Sequence, residues 1–174
     1  MQPIHTPQLI IRTFSILDAS FVLKLMNTPS WIEYIGDRNV KSVSSASNYI
    51  QDKIIRSYRQ HGFGLYHVSL NTTNTPIGIC GLVKREGLLF PDLGFAMMPK
   101  YQGKGYATEA SKAVVNYSNK TLHITKLAGI TKPENIASIK VLENVGMQFE
   151  QMIQLPQDPN LFSLFTLVLH KEDE

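Results

Sequence analysis

The sequence predicts an α+β fold: a mostly antiparallel central sheet of about seven strands with helices on both faces. Three observations carry this expectation. Short apolar runs bounded by turn residues recur along the whole chain. Between them lie segments whose apolar residues are three and four apart, the spacing of one helix face. The order of the two patterns is strand, two helices, three strands, helix, strand, helix, two strands.

Leu9–Arg12 is an apolar run that reads as the first strand. Ser15 followed by Asp18 reads as a capping box. The helix behind it turns Val22, Leu25 and Met26 inward until Asn27-Thr28-Pro29 stops it. Residues 30–43, with Trp31, Tyr34 and Gly36, read as irregular. Ser44 and Ser45 open a second helix in which Ala46, Ile50, Ile54 and Tyr58 repeat every four residues, ended by His61-Gly62. Leu65–Leu70, 77–83 and 93–98 read as strands, the first two joined by a turn of threonine, asparagine and proline. A helix begins near Gly105 and places Ala107, Ala110, Val114 and Tyr117 on one face. Residues 127–131 form a short strand. Asn135 starts the last helix, with Ile139, Leu142 and Val145 inward and Gly146 as its stop. Residues 149–155 and 162–169 are the closing strands. No repeat or linker interrupts the chain, so one domain over 1–174 is expected.

Hydrophobic residues make up 43% of the chain, enough for a core, and a net charge of +3 is too small to argue for nucleic acid as partner. That charge suits an anionic small ligand. Glu172-Asp173-Glu174 reads as a solvated tail. Cys80 is the single cysteine, so nothing asks for an oxidising compartment. There is no signal-peptide pattern and no apolar run of membrane-spanning length; the expectation is a soluble, cytoplasmic protein with no membrane partner. The histidines are scattered and no Cys-x-x-Cys exists, so no metal is expected. Cys80 lacks a basic partner in the pattern and reads as a buried strand residue rather than a nucleophile.

The informative segment runs from Met97 to Ala110. A strand ends, Gly103 and Gly105 follow, and a helix starts at once. Glycines let a backbone approach an anion closely, and the first amides of a helix lack internal partners and lie at its positive end. Lys100 and Lys104 add charge. A tight strand-to-helix turn would explain the same glycines. Neither a P-loop nor a dinucleotide fingerprint is present.

The segment resembles the cofactor motif of the GNAT superfamily of N-acetyltransferases, Gln/Arg-x-x-Gly-x-Gly/Ala, with Gln102, Gly105 and Ala107 in its places. Gly-Lys-Gly-Tyr-Ala-Thr-Glu-Ala is similar to the subgroup that includes the ribosomal-protein N-terminal acetyltransferases (RimJ/RimL type). Leu9-Ile10-Ile11-Arg12, Pro76-Ile77-Gly78-Ile79-Cys80-Gly81-Leu82, Asn135-Ile136-Ala137-Ser138 and Leu142-Glu143-Asn144-Val145-Gly146-Met147 resemble its opening strand, third strand and last helix. The resemblance implies acetyl-CoA as acetyl donor and a fourth strand splayed from the fifth. It implies a pyrophosphate on Gln102, Gly103, Lys104, Gly105, Tyr106 and Ala107. The pantetheine arm would pair with the backbone of Phe95, Ala96 and Met97.

For chemistry, an acceptor amine must lose a proton and the leaving thiolate must be stabilised. Many family members use a tyrosine of the last helix as acid; that position is Leu142 here. The resemblance offers Ser138 in its place, which also reads as an ordinary first-turn serine. Asn135 reads as a helix N-cap and, by resemblance, as a contact for the cofactor. For the base the resemblance offers Asp92, just before Gly94-Phe95, or Glu33 in the loop after the first helix. It also places the 31–40 loop and the 156–160 loop at the acceptor. A small-molecule amine and a protein N-terminal amine both remain open as acceptor, as does a homodimer. A non-catalytic acyl-CoA binding or sensing module is the alternative that Leu142 permits.

Overall fold

The computed structural model describes residues 1–170; the acidic tail expected at Glu172-Asp173-Glu174 lies outside them. Eight strands form one sheet: β1 (Ile4–His5), β2 (Leu9–Arg12), β3 (Leu65–Leu70), β4 (Pro76–Val83), β5 (Asp92–Met97), β6 (Lys126–Thr131), β7 (Gln148–Gln154) and β8 (Leu161–Val168). Their spatial order is β1-β2-β3-β4-β5-β6-β8-β7, and every neighbouring pair is antiparallel except β5–β6. The extra strand, β1, is two residues long, too short to leave a period in the sequence.

Six α-helices accompany the sheet: α1 (Ala19–Met26), α2 (Pro29–Tyr34), α3 (Val43–Tyr49), α4 (Arg56–His61), α5 (Tyr106–Lys120) and α6 (Ile136–Asn144). On one face α5 and α6 pack Ala110, Val114 and Leu142 against Leu9, Val68, Leu82 and Leu127. On the other, α1 and α3 gather Val22, Leu25, Ala46 and the adjoining Ile50 around Ile79. Adjacent β4 residues therefore serve opposite layers, as the alternation of a strand requires. Each buried aliphatic side chain contributes about 1.5–3 kcal/mol of transfer free energy.

Two parts of the expectation change. Residues 30–43 are not wholly irregular, because α2 occupies Pro29–Tyr34. Pro29 at its first position has no N–H to lose and a φ already suited to a helix. The second helix is interrupted. Its cap is Ser42, whose hydroxyl accepts from Ser45 N at 3.1 Å, and residues Ile50–Ile55 form a π turn between α3 and α4. Gly62, at φ 75°, ends α4 in the left-handed conformation.

His67 on β3 is 1% exposed and neither ring nitrogen has a hydrogen-bond partner. Phe14 and Phe21 pack edge-on against it, and Asp18 Oδ1, itself bound by Arg12, lies 4.0 Å away. Burial, reinforced by Arg12 and opposed by Asp18, lowers the imidazole to about 4. The unfolded chain therefore binds a proton near pH 6.5 that the folded chain refuses until about pH 4. Stability is then full above the unfolded value and falls as pH drops through this window, by about 2–3 kcal/mol. Urea unfolding of His67→Leu at pH 7.5 and 4.5 should show a smaller acid loss than the parent by that amount.

Candidate active site

β5 and β6 form a fork. β5 pairs with β4 along its whole length, from Val83↔Asp92 to Gly78↔Met97. With β6 it shares one register pair, Asp92↔Ala128. Ala128 N donates to Pro91 O at 2.9 Å, and Ile130 N then donates to the Asp92 carboxylate at 3.1 Å. Beyond that point the strands part, and the edge of β5 that carries Phe95, Ala96 and Met97 faces a gap. The splay expected of the fourth and fifth strands is this separation of β5 and β6.

Asp92 closes the base of the fork. It is 2% exposed, and Arg85 grips its Oδ2 through Nε at 2.9 Å and Nη2 at 2.8 Å. Its other oxygen takes the Ile130 amide. Burial pushes this carboxyl up, against the pull of Arg85 and of that amide. Sequence reasoning offered Asp92 as a base; the structure engages both its oxygens in holding two strands together. Glu33 is exposed and outside the groove lining; its backbone carbonyl accepts from Lys132 Nζ at 2.6 Å.

The turn that follows β5 leaves backbone amides unpaired beside two left-handed glycines. Gly103 and Gly105 have φ of 70° and 84°, and a Cβ placed on either would meet nothing within 4 Å. The amides of residues 103–108 find no acceptor outside α5, and the first amides of a helix have none within it. Lys100 and Lys104 place their ammonium groups 5.9 and 5.8 Å from the Tyr101 ring centre. Glu109, the acid in the first turn, is tied away by Thr6 Oγ1 and by Gln8 N and Nε2. Gln102 uses its side-chain amide on Met97 O and Ser30 Oγ, both at 3.0 Å, which fastens the turn to β5 and α2. Tyr106 and Ala107 open α5 and line the same groove.

At the start of α6, Asn135 Oδ1 caps the helix by accepting from Ser138 N at 3.1 Å. Ser138 is half-buried, lines the groove, and its hydroxyl makes no hydrogen bond to any described residue. Leu142 takes no part in the groove: it is 1% exposed and packs against the backbone of Gly129. Cys80 is fully buried beside Ser111 Oγ, and burial pushes its thiol up to about 12. Among the described residues no cluster of histidine, cysteine and carboxylate could hold a metal, and no helix is long and apolar enough to cross a membrane.

These parts line one continuous groove of about 780 Å³. It runs from the 102–108 turn along β5, past Asn135 and Ser138, to an end formed by α2, α3 and the loop before β8. That end contains Arg38, in the 31–40 loop expected at the acceptor, and Tyr49, which no motif marked and which immediately precedes the π turn. A lone tyrosine in an amphipathic helix carries no signal of its own; only folding brings it to the wall that holds Arg38.

A family model described as an acetyltransferase (GNAT) domain matches residues 8–148. The chain belongs to the GNAT acetyltransferase family. Among its relatives is YnaD of Bacillus subtilis strain 168, an uncharacterised N-acetyltransferase, 27% identical over 150 residues that cover 84% of this chain and 83% of that protein. Among solved structures, RimL, a ribosomal L7/L12 alpha-N-protein acetyltransferase in complex with coenzyme A, superposes with a TM-score of 0.84 at 14% identity, covering 98% of this chain and 100% of that one. The ribosomal-protein-S5-alanine acetyltransferase of Vibrio fischeri gives 0.80 at 14% identity, with 97% of each chain covered. The GNAT protein is thus an acetyltransferase whose donor is acetyl-CoA.

Two outcomes follow from this geometry. Gly105→Val leaves the core untouched, so circular dichroism should keep its folded signature, while the titrated Kd for acetyl-CoA should rise at least about tenfold through lost approach and altered turn conformation. Asp92→Asn keeps an acceptor for Ile130 but releases the Arg85 charge. A clamp predicts a loss of about 1–3 kcal/mol in urea unfolding; a base predicts unchanged stability with a fall in kcat.

Proposed function

We propose that this GNAT protein moves the acetyl group of acetyl-CoA directly onto an amine, as one N-acetyltransferase domain over 1–174. The continuity of the groove carries the reading: unpaired amides at one end, an open strand edge along the middle, and a free hydroxyl where the edge meets α6. Acetyl-CoA supplies an activated thioester carbonyl. The remaining work falls to the chain. The amides of residues 103–108, with Lys100 and Lys104, hold the pyrophosphate. The backbone of Phe95, Ala96 and Met97 offers pairing groups to the pantetheine arm. Asn135, its Oδ1 already committed to the cap, has its amide nitrogen left for the ligand.

Ser138 is the proposed hydrogen-bond donor to the leaving sulfur. A hydroxyl is a weak acid, but a bond that strengthens as thiolate charge forms lowers the barrier without full proton transfer. The neutral amine itself attacks the thioester carbonyl, the N–C bond forms as the C–S bond breaks, and the amine proton passes to solvent or to the departing thiolate. No nucleophilic side chain is required, and the buried thiol of Cys80 is in keeping with that. In this reading Asp92 contributes by holding the fork. Glu33 would assist only from the rim, beside Tyr34.

RimL's described action on a protein alpha-amine supports a protein N-terminal amine as one class of acceptor, and a small-molecule amine is the other. A lone buried cysteine suits a reducing compartment, so the reading assigns the cytoplasm.

The test has two arms. Calorimetric titration should show acetyl-CoA binding; its absence at millimolar concentration would sink the proposal. A thiol-release assay against a panel of amines should then show turnover, whereas binding without turnover would favour a sensing module. Ser138→Ala should lower kcat by up to about a hundredfold with little change in acetyl-CoA affinity, because the bond strengthens only as the thiolate forms. An unchanged kcat where chemistry limits the rate would return Ser138 to a helix-start role.

A further inference from the structure

The acceptor end of the groove has a sign. Four cationic side chains line the whole groove, Arg38, Arg85, Lys132 and Lys140, against two carboxylates, Asp92 and Asp158. Arg85 and Asp92 neutralise each other. Asp158 is partly satisfied from its own loop, since its Oδ1 accepts from Asn160 N at 3.0 Å and Asn160 Nδ2 at 2.8 Å. Lys132 is directed to the Glu33 carbonyl. Arg38 and Lys140 are left: both are exposed and neither makes a hydrogen bond or ion pair with any described residue, and of the two only Arg38 acts on the Tyr49 hydroxyl.

Beside Arg38 stands a second unpaired donor. Tyr49 lines the same end, and its hydroxyl has no hydrogen-bond partner among the described residues. Arg38 and Arg85 both act electrostatically on that hydroxyl, which burial otherwise keeps protonated. A guanidinium and a phenol within reach of one point form a donor set, and a guanidinium fork matches the two oxygens of a carboxylate or phosphate. The same set is poor for a cationic tail. An ammonium held near Arg38 meets a like charge, and the sole uncompensated carboxylate of the lining is Asp158.

We infer that the acceptor is an amine carrying an anionic group, a carboxylate or phosphate, seated on Arg38 and the Tyr49 hydroxyl. This rests on the acetyl-transfer reading above. Arg38 is then the residue that selects the acceptor by the charge at the end away from its amine. A diamine or polyamine of the same length is disfavoured.

The experiment measures kcat/KM of the full chain in the thiol-release assay with matched acceptors. These are an ω-amino carboxylate, its amide, the diamine of equal length, an aminoalkyl phosphate, and short peptides with a free N-terminus followed by aspartate or by lysine. The anionic amines should exceed the amide and the diamine at least about tenfold, mainly through KM, since a distal anchor contributes binding in ground and transition states alike. The phosphate and peptide arms show which source of negative charge fits. Arg38→Ala should collapse the ratio of anionic to neutral acceptor, Arg38→Lys should restore part of it, and Arg38→Glu should turn it toward the diamine. The ratio is read in variants whose acetyl-CoA affinity and circular dichroism match the parent, which separates it from a general loss of folding. Equal turnover of diamine and amino carboxylate, or an unchanged ratio in Arg38→Ala, overturns this inference alone. Transfer to no amine at all, with acetyl-CoA still bound, overturns the acetyl-transfer reading with it.

Discussion

One carboxylate governs where the sheet opens. Two neighbouring strands normally pair to their ends, because each unpaired amide costs free energy once buried. At Asp92 the ladder between β5 and β6 stops after a single register pair, and the next β6 amide, Ile130, is satisfied by a side chain instead of a backbone carbonyl. That substitution releases β5 from following β6. The Arg85 guanidinium holds the carboxylate in place through two nitrogens. A pair this buried gains little net stability over an apolar isostere, but breaking one partner is costly. Its value here is geometric, since the width of the gap beyond it depends on where the ladder stops.

The groove is lined by groups the fold leaves unsatisfied. β5 spends its hydrogen bonds on β4 and shares no register pair with β6 beyond Asp92, and at its far end the Met97 carbonyl accepts from Gln102 Nε2. Gly103 and Gly105 adopt the left-handed conformation, and both line the groove. Unsatisfied amides are normally a liability, and they persist at helix ends where solvent or a ligand completes them. Gln102 bonds to Met97 and Ser30, which ties the turn to β5 and α2. A preorganised site loses less entropy on binding than a mobile one.

Much of this was legible in the chain. The seven longer strands match their apolar runs to within about two residues, since period and turn residues act locally. The 102–107 turn was legible because glycine spacing followed by a helix pattern has few other uses. Other features depend on distance in the sequence. α2 is six residues long, and only Pro29 announces it. The π turn at Ile50–Ile55 keeps the four-residue apolar spacing that an uninterrupted helix also shows. The position of Asp92 relative to Gly94 and Phe95 offers it as a base and says nothing of its burial. Its clamp needs Arg85 on one side and Ile130 on the other, and no local pattern joins the three.

The leucine at 142 shows how a helix can change which residue faces the chemistry. Gly129 lies so close that a Cβ there would sit 2.8 Å from Leu142 Cδ2, so the side chain at 142 fills the space against β6 rather than the groove. The residues of α6 that line the groove include Ser138 and Val141, three apart and on one stripe. The helix also brings Lys140 and Asn144 to the groove, and Ser138 is its hydroxyl in the first turn. That position brings a second source of stabilisation. The N-terminal turn carries the positive end of the helix dipole; the amides of Ile136, Ser138 and Ile139 have acceptors in Glu134 O, Asn135 Oδ1 and Asn135 O, which leaves that of Ala137. Negative charge developing near Ser138 would feel both the hydroxyl and the helix end. A coenzyme A thiolate is a fair leaving group and needs modest help, so a serine at the helix start can serve where a stronger acid one turn later is absent.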